Sequence, residues 1–455
     1  MGFPKEFTWG VAAASYQIEG AHDTDGKGRS VWDMFSRWDN VIWNNNNGDV
    51  ACDHYHRWRE DLHQMRDLGV QAYRLSLSWP RMIPDGTGKP NPKGIAFYDK
   101  LIDEMLKLDI EPWVTLFHWD YPYELFCRGG WLNRDSVEWF HDYTTLVAQK
   151  YGDRVQNWMT LNEPQCFISL GHCEGLHAPG IKMGLTEVLR AGHHALMAHG
   201  AGVKAIRANA KTKARIGYAP VGIISYPETE TKKNIDAARR HMFAITIKHN
   251  WNNTWWMDPV FLGKYPEDGL KVFEKHLPLV KSGDMKLIAQ PVDFMGVNIY
   301  NGTPIIAGQN GESVEPEKKL GPDLTAFRWS VTPRSLYWGP KFLYERYKKP
   351  VVVTENGLSC ADWVSLDGKV HDPQRIDFLT RYLSEFRRAA DDGVPVKGYF
   401  QWSIMDNFEW AEGYKQRFGL IYVDYATQKR TPKDSYYWYK DVIKSNGENL
   451  KGEKS

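Results

Sequence analysis

Short apolar or alternating runs recur along the chain between longer stretches whose apolar residues repeat at helical spacing. Runs at 7–14, 70–79, 112–118, 155–161, 214–220, 294–300, 350–354 and 396–403 read as eight strands. Between them 53–68, 96–108, 136–151, 185–209, 336–347 and 373–391 carry the helical period. Asp135 lies three residues before Glu138, which predicts a capping box at the start of the third of these helices. Eight strands alternating with helices, with no glycine-rich linker or break in composition, predict an α/β chain folded as a single (β/α)₈ barrel with long loops at the C-terminal face of the strands. The domain is expected to span 1–455, with 446–455 as a flexible polar tail. A doubly wound sheet is the rival architecture, but no G-x-G-x-x-G follows the first run. The GTGK at 86–89 lacks the phosphate-loop spacing, and Pro90 and Pro92 stand where its helix should begin.

Composition narrows the partners. Lys+Arg 57 against Asp+Glu 56 in 455 residues leaves a formal charge of +1, which argues against nucleic acid or an anionic membrane. Twenty tryptophans, with 23 Tyr and 19 Phe, suit either a large core or a surface for flat, CH-rich ligands such as sugars. The five cysteines, Cys52, Cys127, Cys166, Cys173 and Cys360, are an odd number and read as free thiols in a reducing compartment. The first twenty residues lack a charged segment followed by an apolar one, and no window approaches ~18 consecutive apolar residues. The expectation is a cytoplasmic protein.

Barrel chemistry sits where strands end, at the C-terminal face. The residues there are polar: Gln17 and Glu19 beyond strand one, Arg74, Ser76 and Ser78 in strand two, and His118 and Asp120 after strand three. Asn162 and Glu163 end strand four, Asn298 and Tyr300 strand six, Glu355 and Asn356 strand seven, and Trp402, Asp406 and Glu409 follow strand eight. In 159-MTLNEP-164 and 351-VVVTENG-357 a β-type run ends in a carboxylate. Both glutamates are expected at the barrel mouth, on opposite strands of the ring and aimed inward. Each alone could merely cap a strand; a pair in one mouth is what glycoside hydrolysis needs, one to protonate the leaving oxygen and one to attack the anomeric carbon.

In 73-YRLSLSW-79, alternation puts Leu75 and Leu77 on one face and Arg74 on the other, inside the barrel, where a guanidinium needs a carboxylate partner. Either an ion pair in the barrel floor or support for a nucleophilic carboxylate would satisfy it. The histidines show no metal-ligand spacing, and Cys166 and Cys173 lack C-x-x-C. They read as core or surface residues, except that His118 beside Trp119 could serve either a sugar hydroxyl or the core. Trp402 and Trp410 flanking Glu409 resemble a sugar subsite, with rings for apolar faces and a carboxylate for hydroxyls.

From about Phe3 to about Val442 these segments resemble glycoside hydrolase family 1, the β-glucosidase family of retaining, exo-acting enzymes. The segments are FTWGVAAASYQIEG, GDVACDHYHRWREDL, YRLSLSWPRMIP, TLFHWDYP, TLNEP, VTENG, WSIMDNFEW and GYKQRFGLIYVDY. The resemblance implies that Glu163 is the acid/base and Glu355 the nucleophile, with carboxyls ~5–5.5 Å apart. Arg74, Asn298 and Tyr300 would support Glu355, and Asn162 would bond the 2-hydroxyl. Gln17, His118, Glu409 and Trp410 would fix the other hydroxyls, with Trp402 beneath the ring. Trp119, Tyr300 and Phe418 would complete the substrate contacts, and Trp329 would face the aglycone. Neither metal nor cofactor is implied. The substrate would be a small β-glucoside or short oligosaccharide, and a homo-oligomer stays open.

Glu409 stands where the 6-phosphoglycosidase branch has serine, and a carboxylate there would repel a phosphorylated sugar. Glu163 stands where the thioglucosidase branch has glutamine, which favours O-glycosides. Tyr121 replaces a common leucine, Arg334-Ser335 follows Pro333 in place of the usual pair, and Tyr121, Cys166 and Cys173 are expected to line or support the aglycone side. Two rival functions are a transglycosylase and a non-catalytic β-glucoside sensor or carrier; a pure binder has no need of the two glutamates.

Overall fold

In the computed structural model, residues 2–317 and 320–450 are described. Eight strands form a closed parallel barrel: β1 (Thr8–Ala12), β2 (Ala72–Ser76), β3 (Glu111–Phe117), β4 (Asn157–Asn162), β5 (Arg215–Ala219), β6 (Phe294–Asn298), β7 (Val351–Asn356) and β8 (Val396–Trp402). Each pairs with its neighbour in chain order, and β8 closes on β1. All eight expected runs are strands. Helices His54–Leu68, Pro92–Lys107, Ser136–Tyr151, Leu185–Asn209, Ser335–Tyr347 and Pro373–Asp391 match the helical-period segments within a few residues.

Alternation along the strands makes two cores. Leu75, Leu77, Val351 and Val353 face outward into the layer under the helices. Ala72, Trp113, Met159, Phe294, Val352 and Phe400 fill the barrel itself. The interior is plugged by aromatic rings, with Trp113 4.9 Å from Phe400 and 5.4 Å from Phe294. Two strand glycines make room for this plug. A Cβ at Gly10 would lie 2.4 Å from the Phe400 ring, and one at Gly217 2.2 Å from the Phe294 ring. The closed floor leaves the C-terminal mouth as the open end.

Three expectations are corrected. Helix Ser136–Tyr151 has no capping box: Asp135 is already helical and makes no side-chain cap bond, and its own N–H is taken by Asn133 Oδ1 at 2.9 Å. Residues 446–450 are packed rather than loose. Asn446 Nδ2 donates to Phe3 O at 2.7 Å, Asn446 Oδ1 accepts from Trp9 Nε1 at 2.9 Å, and Leu450 is buried. Residues 451–455 of the expected tail lie outside the described residues. Finally, β4 and β7 are three steps apart round the ring, not diametrically opposite. No helix among the described residues is long and apolar enough to cross a membrane.

Candidate active site

Strict alternation would not bring the two glutamates into one cavity; local breaks in the strands do. Val352 faces the barrel interior, so a regular strand would send Thr354 inward and Glu355 outward. The pairing of β7 with β6 shifts between Val353 and Glu355, which places Glu355 beside Asn298. Such an irregularity re-aims side chains at the end of a strand. β4 shows a similar shift against β5 between Met159 and Asn162. The next residue, Glu163, has φ 45°, a left-handed conformation that a glutamate adopts at a cost. Its N–H is fixed by Ala219 O at 2.8 Å, and Pro164 opens the helix Pro164–Ile168 directly after it.

Both glutamates line a cavity of about 450 Å³ at the barrel mouth, with His118, Trp119, Tyr300, Trp329, Trp402, Glu409, Trp410 and Phe418. Arg74, Asn162, Asn298 and Gln17 are fully buried immediately behind this lining. Glu355 is bonded by Arg74 Nη1, and its Oε2 accepts from Tyr300 Oη at 2.7 Å, so donors face both oxygens. Arg74 Nη2 reaches Asn162 Oδ1 at 2.6 Å. Asn298 Nδ2 bridges Asn162 Oδ1 at 3.0 Å and Glu163 Oε1 at 2.9 Å, oriented by Thr354 Oγ1, which donates to its Oδ1 at 2.6 Å. Asn298 thus lies beside Glu355 by strand pairing but gives its side-chain hydrogen bond to Glu163, a correction to its expected place as a direct support of Glu355.

The electrostatics act strongly on Glu163. Burial, and then the charge of Glu355, raise the Glu163 carboxyl to about 8, against the pull of hydrogen bonds from Asn298 and the Cys166 thiol. Burial likewise raises Glu409 to about 8, with Glu355 and Glu163 adding repulsion. Glu409 Oε2 accepts from Asn407 Nδ2 at 3.0 Å and Gln17 Nε2 at 3.3 Å. His118 is pushed well below its ordinary range by burial and by the nearby Arg74, so its ring is neutral near pH 7. Its Nε2 lies 3.2 Å from Asn162 Nδ2. Trp119 Nε1 donates to Asn162 O at 2.9 Å.

Trp402 and Trp410 both stack beside His118, with ring centroids 5.7 and 5.9 Å away. Trp329 packs against Tyr300, Phe327 and Phe418 as a second aromatic group. Cys166 lines the cavity, whereas Tyr121 does not: it is buried between Trp79 and Trp131 beneath the mouth. Cys173 is also absent from the lining. Direction keeps both out of the lining. The turn after β3 drives Tyr121 into the helix layer, and the π-type turn Ser169–Glu174 leaves Cys173 half-buried on its other side. Arg334 and Ser335 serve the fold, through bonds to Glu228 O and Thr332 O.

The residues that sequence reasoning missed, Leu170, Leu176, His177, Val221, Trp251 and Phe327 among them, come from loops without a motif. Only Phe327, two residues before Trp329, carried a nearby signal. Among the described residues, one group brings three metal-ligand atoms together, Glu138, His141 and Asp142, and it lies on an outer helix away from the cavity.

The comparisons agree with this geometry. The chain is 44% identical over 447 residues to beta-glucosidase A of Thermotoga maritima, covering 98% of each. A solved structure of beta-glucosidase from that organism in complex with glucoimidazole superposes with a TM-score of 0.89 at 44% identity, covering 98% of this chain and 99% of the other. An aryl-phospho-β-D-glucosidase of Bacillus subtilis is 38% identical over 482 residues, covering 98% of both. The model of glycosyl hydrolase family 1 matches residues 1–448. With a barrel of that family's architecture and a pair of buried glutamates in its mouth, the chain is a glycoside hydrolase and belongs to glycosyl hydrolase family 1.

Proposed function

We propose that the chain is a retaining, exo-acting β-glucosidase for neutral O-glucosides. The observation that carries this reading is the pairing of two buried glutamates in contrasting surroundings: Glu355 facing donors, and Glu163 raised to about 8. That contrast supports reading Glu355 as nucleophile and Glu163 as acid. Glu355 attacks the anomeric carbon while Glu163 passes its proton to the glycosidic oxygen. The bond to the aglycone breaks as the glucosyl–Glu355 ester forms. Glu163, now a carboxylate, takes a proton from water, which attacks the same carbon and frees Glu355. Two inversions give net retention, and the carboxyls should stand ~5–5.5 Å apart.

Asn162 Oδ1 is occupied by Arg74 and Asn298, and one Nδ2 hydrogen is directed at His118 Nε2, so the other amide hydrogen is the part left for the 2-hydroxyl. Gln17 Oε1 is buried without a partner among the described residues and serves as an acceptor for a sugar hydroxyl. Glu409 and the neutral His118 take other hydroxyls, over the apolar support of Trp402. Repulsion by Glu409 is a weaker argument against a phosphorylated sugar than its sequence position implies, because burial favours its neutral form up to about pH 8. A stronger one is that no lysine or arginine is among the described residues lining the cavity, so a phosphate dianion would be buried without a cation. The five cysteines are all free, which suits a cytoplasmic enzyme. β-Fucosides, β-galactosides and cello-oligosaccharides are expected as further substrates, and alcohols as glucosyl acceptors.

Initial rates on 4-nitrophenyl β-D-glucoside, its 6-phosphate, and the α-anomer test the reading. Cleavage of the first alone is expected. Preference for the 6-phosphate would reassign the Glu409 loop, and inertness to all three would favour a binding protein. A second outcome follows from the acid. Because Glu163 must hold its proton for the first step, kcat/KM should fall about tenfold per unit above about pH 8. A basic limb that survives unchanged when Glu163 is replaced by alanine would assign the limb to another group.

A further inference from the structure

The cavity has two kinds of lining. Its buried part holds the carboxyls and the tryptophans around His118, whereas Leu170, Leu176, Val221 and two indoles, Trp329 and Trp251, are the more exposed members of the lining. Trp329 belongs to a cluster with Tyr300, Phe327 and Phe418. Trp251 belongs to a different wall. It lies in the irregular segment between helices Lys232–Phe243 and Thr254–Phe261, and no strand or helix holds it. Polar side chains hold it instead. Trp251 Nε1 donates to Glu174 Oε1 at 2.8 Å, and its own N–H to His249 Nδ1 at 2.9 Å. The preceding Asn250 donates through Nδ2 to Ser169 Oγ at 2.6 Å and accepts from Trp256 Nε1 at 2.8 Å.

Ser169 and Glu174 bound the π-type turn that follows the helix begun by Glu163-Pro164. The segment carrying Glu163 therefore also grips the Trp251 loop. A half-buried indole whose only polar atom is already satisfied offers the cavity a purely apolar face.

We propose that Trp251, clamped by Glu174, is a specificity-determining residue that forms an aglycone wall separate from Trp329 and selects planar, apolar leaving groups. The proposal rests on the glucosidase reading above. Glu174 is a positioning residue, acting only through the indole. Such a wall contributes when the leaving group is large enough to reach it and is idle when the leaving group is a single atom.

Kinetics of the full chain on 4-nitrophenyl β-D-glucoside and on β-D-glucosyl fluoride separate these cases. Trp251→Ala is expected to lower kcat/KM for the aryl glucoside about 3- to 10-fold, mainly through KM, the range of one aromatic contact. The fluoride should change less than twofold. Trp251→Phe should recover part of the loss, and Glu174→Ala should reproduce a smaller version of it while Glu174→Gln, which keeps an acceptor, should not. Equal losses on both substrates, or no loss on the aryl glucoside, would overturn the proposal while leaving the glucosidase reading intact. Wild-type inertness to both substrates would overturn that reading and the proposal with it. The phenylalanine and glutamine variants keep the test decisive if alanine at 251 prevents folding.

Discussion

Glu355→Gln is expected to lower kcat on every β-glucoside by on the order of 10⁴-fold or more while glucose still binds measurably. The loss is large because the first bond-forming step has no other atom to make it. Arg74 and Tyr300 can orient an oxygen but cannot replace it, and their bonds show how closely the Glu355 carboxylate is held. The amide also places an NH₂ donor among donors, so part of the loss is an unmatched buried contact. Glu355→Gly would remove that complication. Added azide or formate could then enter the gap and displace the aglycone directly, giving an α-configured product. Turnover by Glu355→Gln at the wild-type rate, or a β-configured product in the rescue, would remove Glu355 from the nucleophile role.

Glu163→Ala should behave differently, since its effect depends on the leaving group. A glucoside that departs as an alkoxide or a sugar needs the proton, and its kcat/KM should fall about 10²- to 10⁴-fold. A dinitrophenyl glucoside departs without help, so its first step should be almost unchanged while release of the glucosyl enzyme becomes slow. Burst kinetics would record that split, and azide should speed the second step by attacking without a base. The basic limb of the pH profile near 8 should vanish in the same variant, and a limb that remains would belong to Glu409, the other cavity carboxyl raised to about 8. A uniform loss across leaving groups would point to a structural defect. Asn298 and Cys166, which bond Glu163, would then be the first contacts to inspect.

The same two carboxyls show where sequence reading succeeds and stops. The chain order of strands and helices is local information. Apolar period, β-branched runs such as 350–354 and chain breakers at their ends set it, and the structure places a strand at every expected run. The inward aim of Arg74 followed from simple alternation, since its neighbours Leu75 and Leu77 belong to the outer layer. Alternation alone would have failed for Glu355, which the shift of β7 against β6 turns toward the cavity. That shift depends on the neighbouring strand and is not written in VTENG. The same is true of Tyr121 and Cys173: each lies close in sequence to a site residue, and turn direction sends it elsewhere.

The sequence by itself therefore determined the number and order of the barrel strands, which residues end them, and the family whose motifs they form. Those are properties of short segments, where side-chain volume, β-branching and proline act within a few residues. Tertiary structure alone decided that Asn298 bonds Glu163, that Glu409 and Glu163 are held up near 8, and that Trp251 lines the cavity. Each depends on burial and on partners far away in the chain, such as Asn298 Nδ2 on Glu163 and Trp251 Nε1 on Glu174. A carboxyl responds to the dielectric and charges around it, and only closure of the barrel sets what those are.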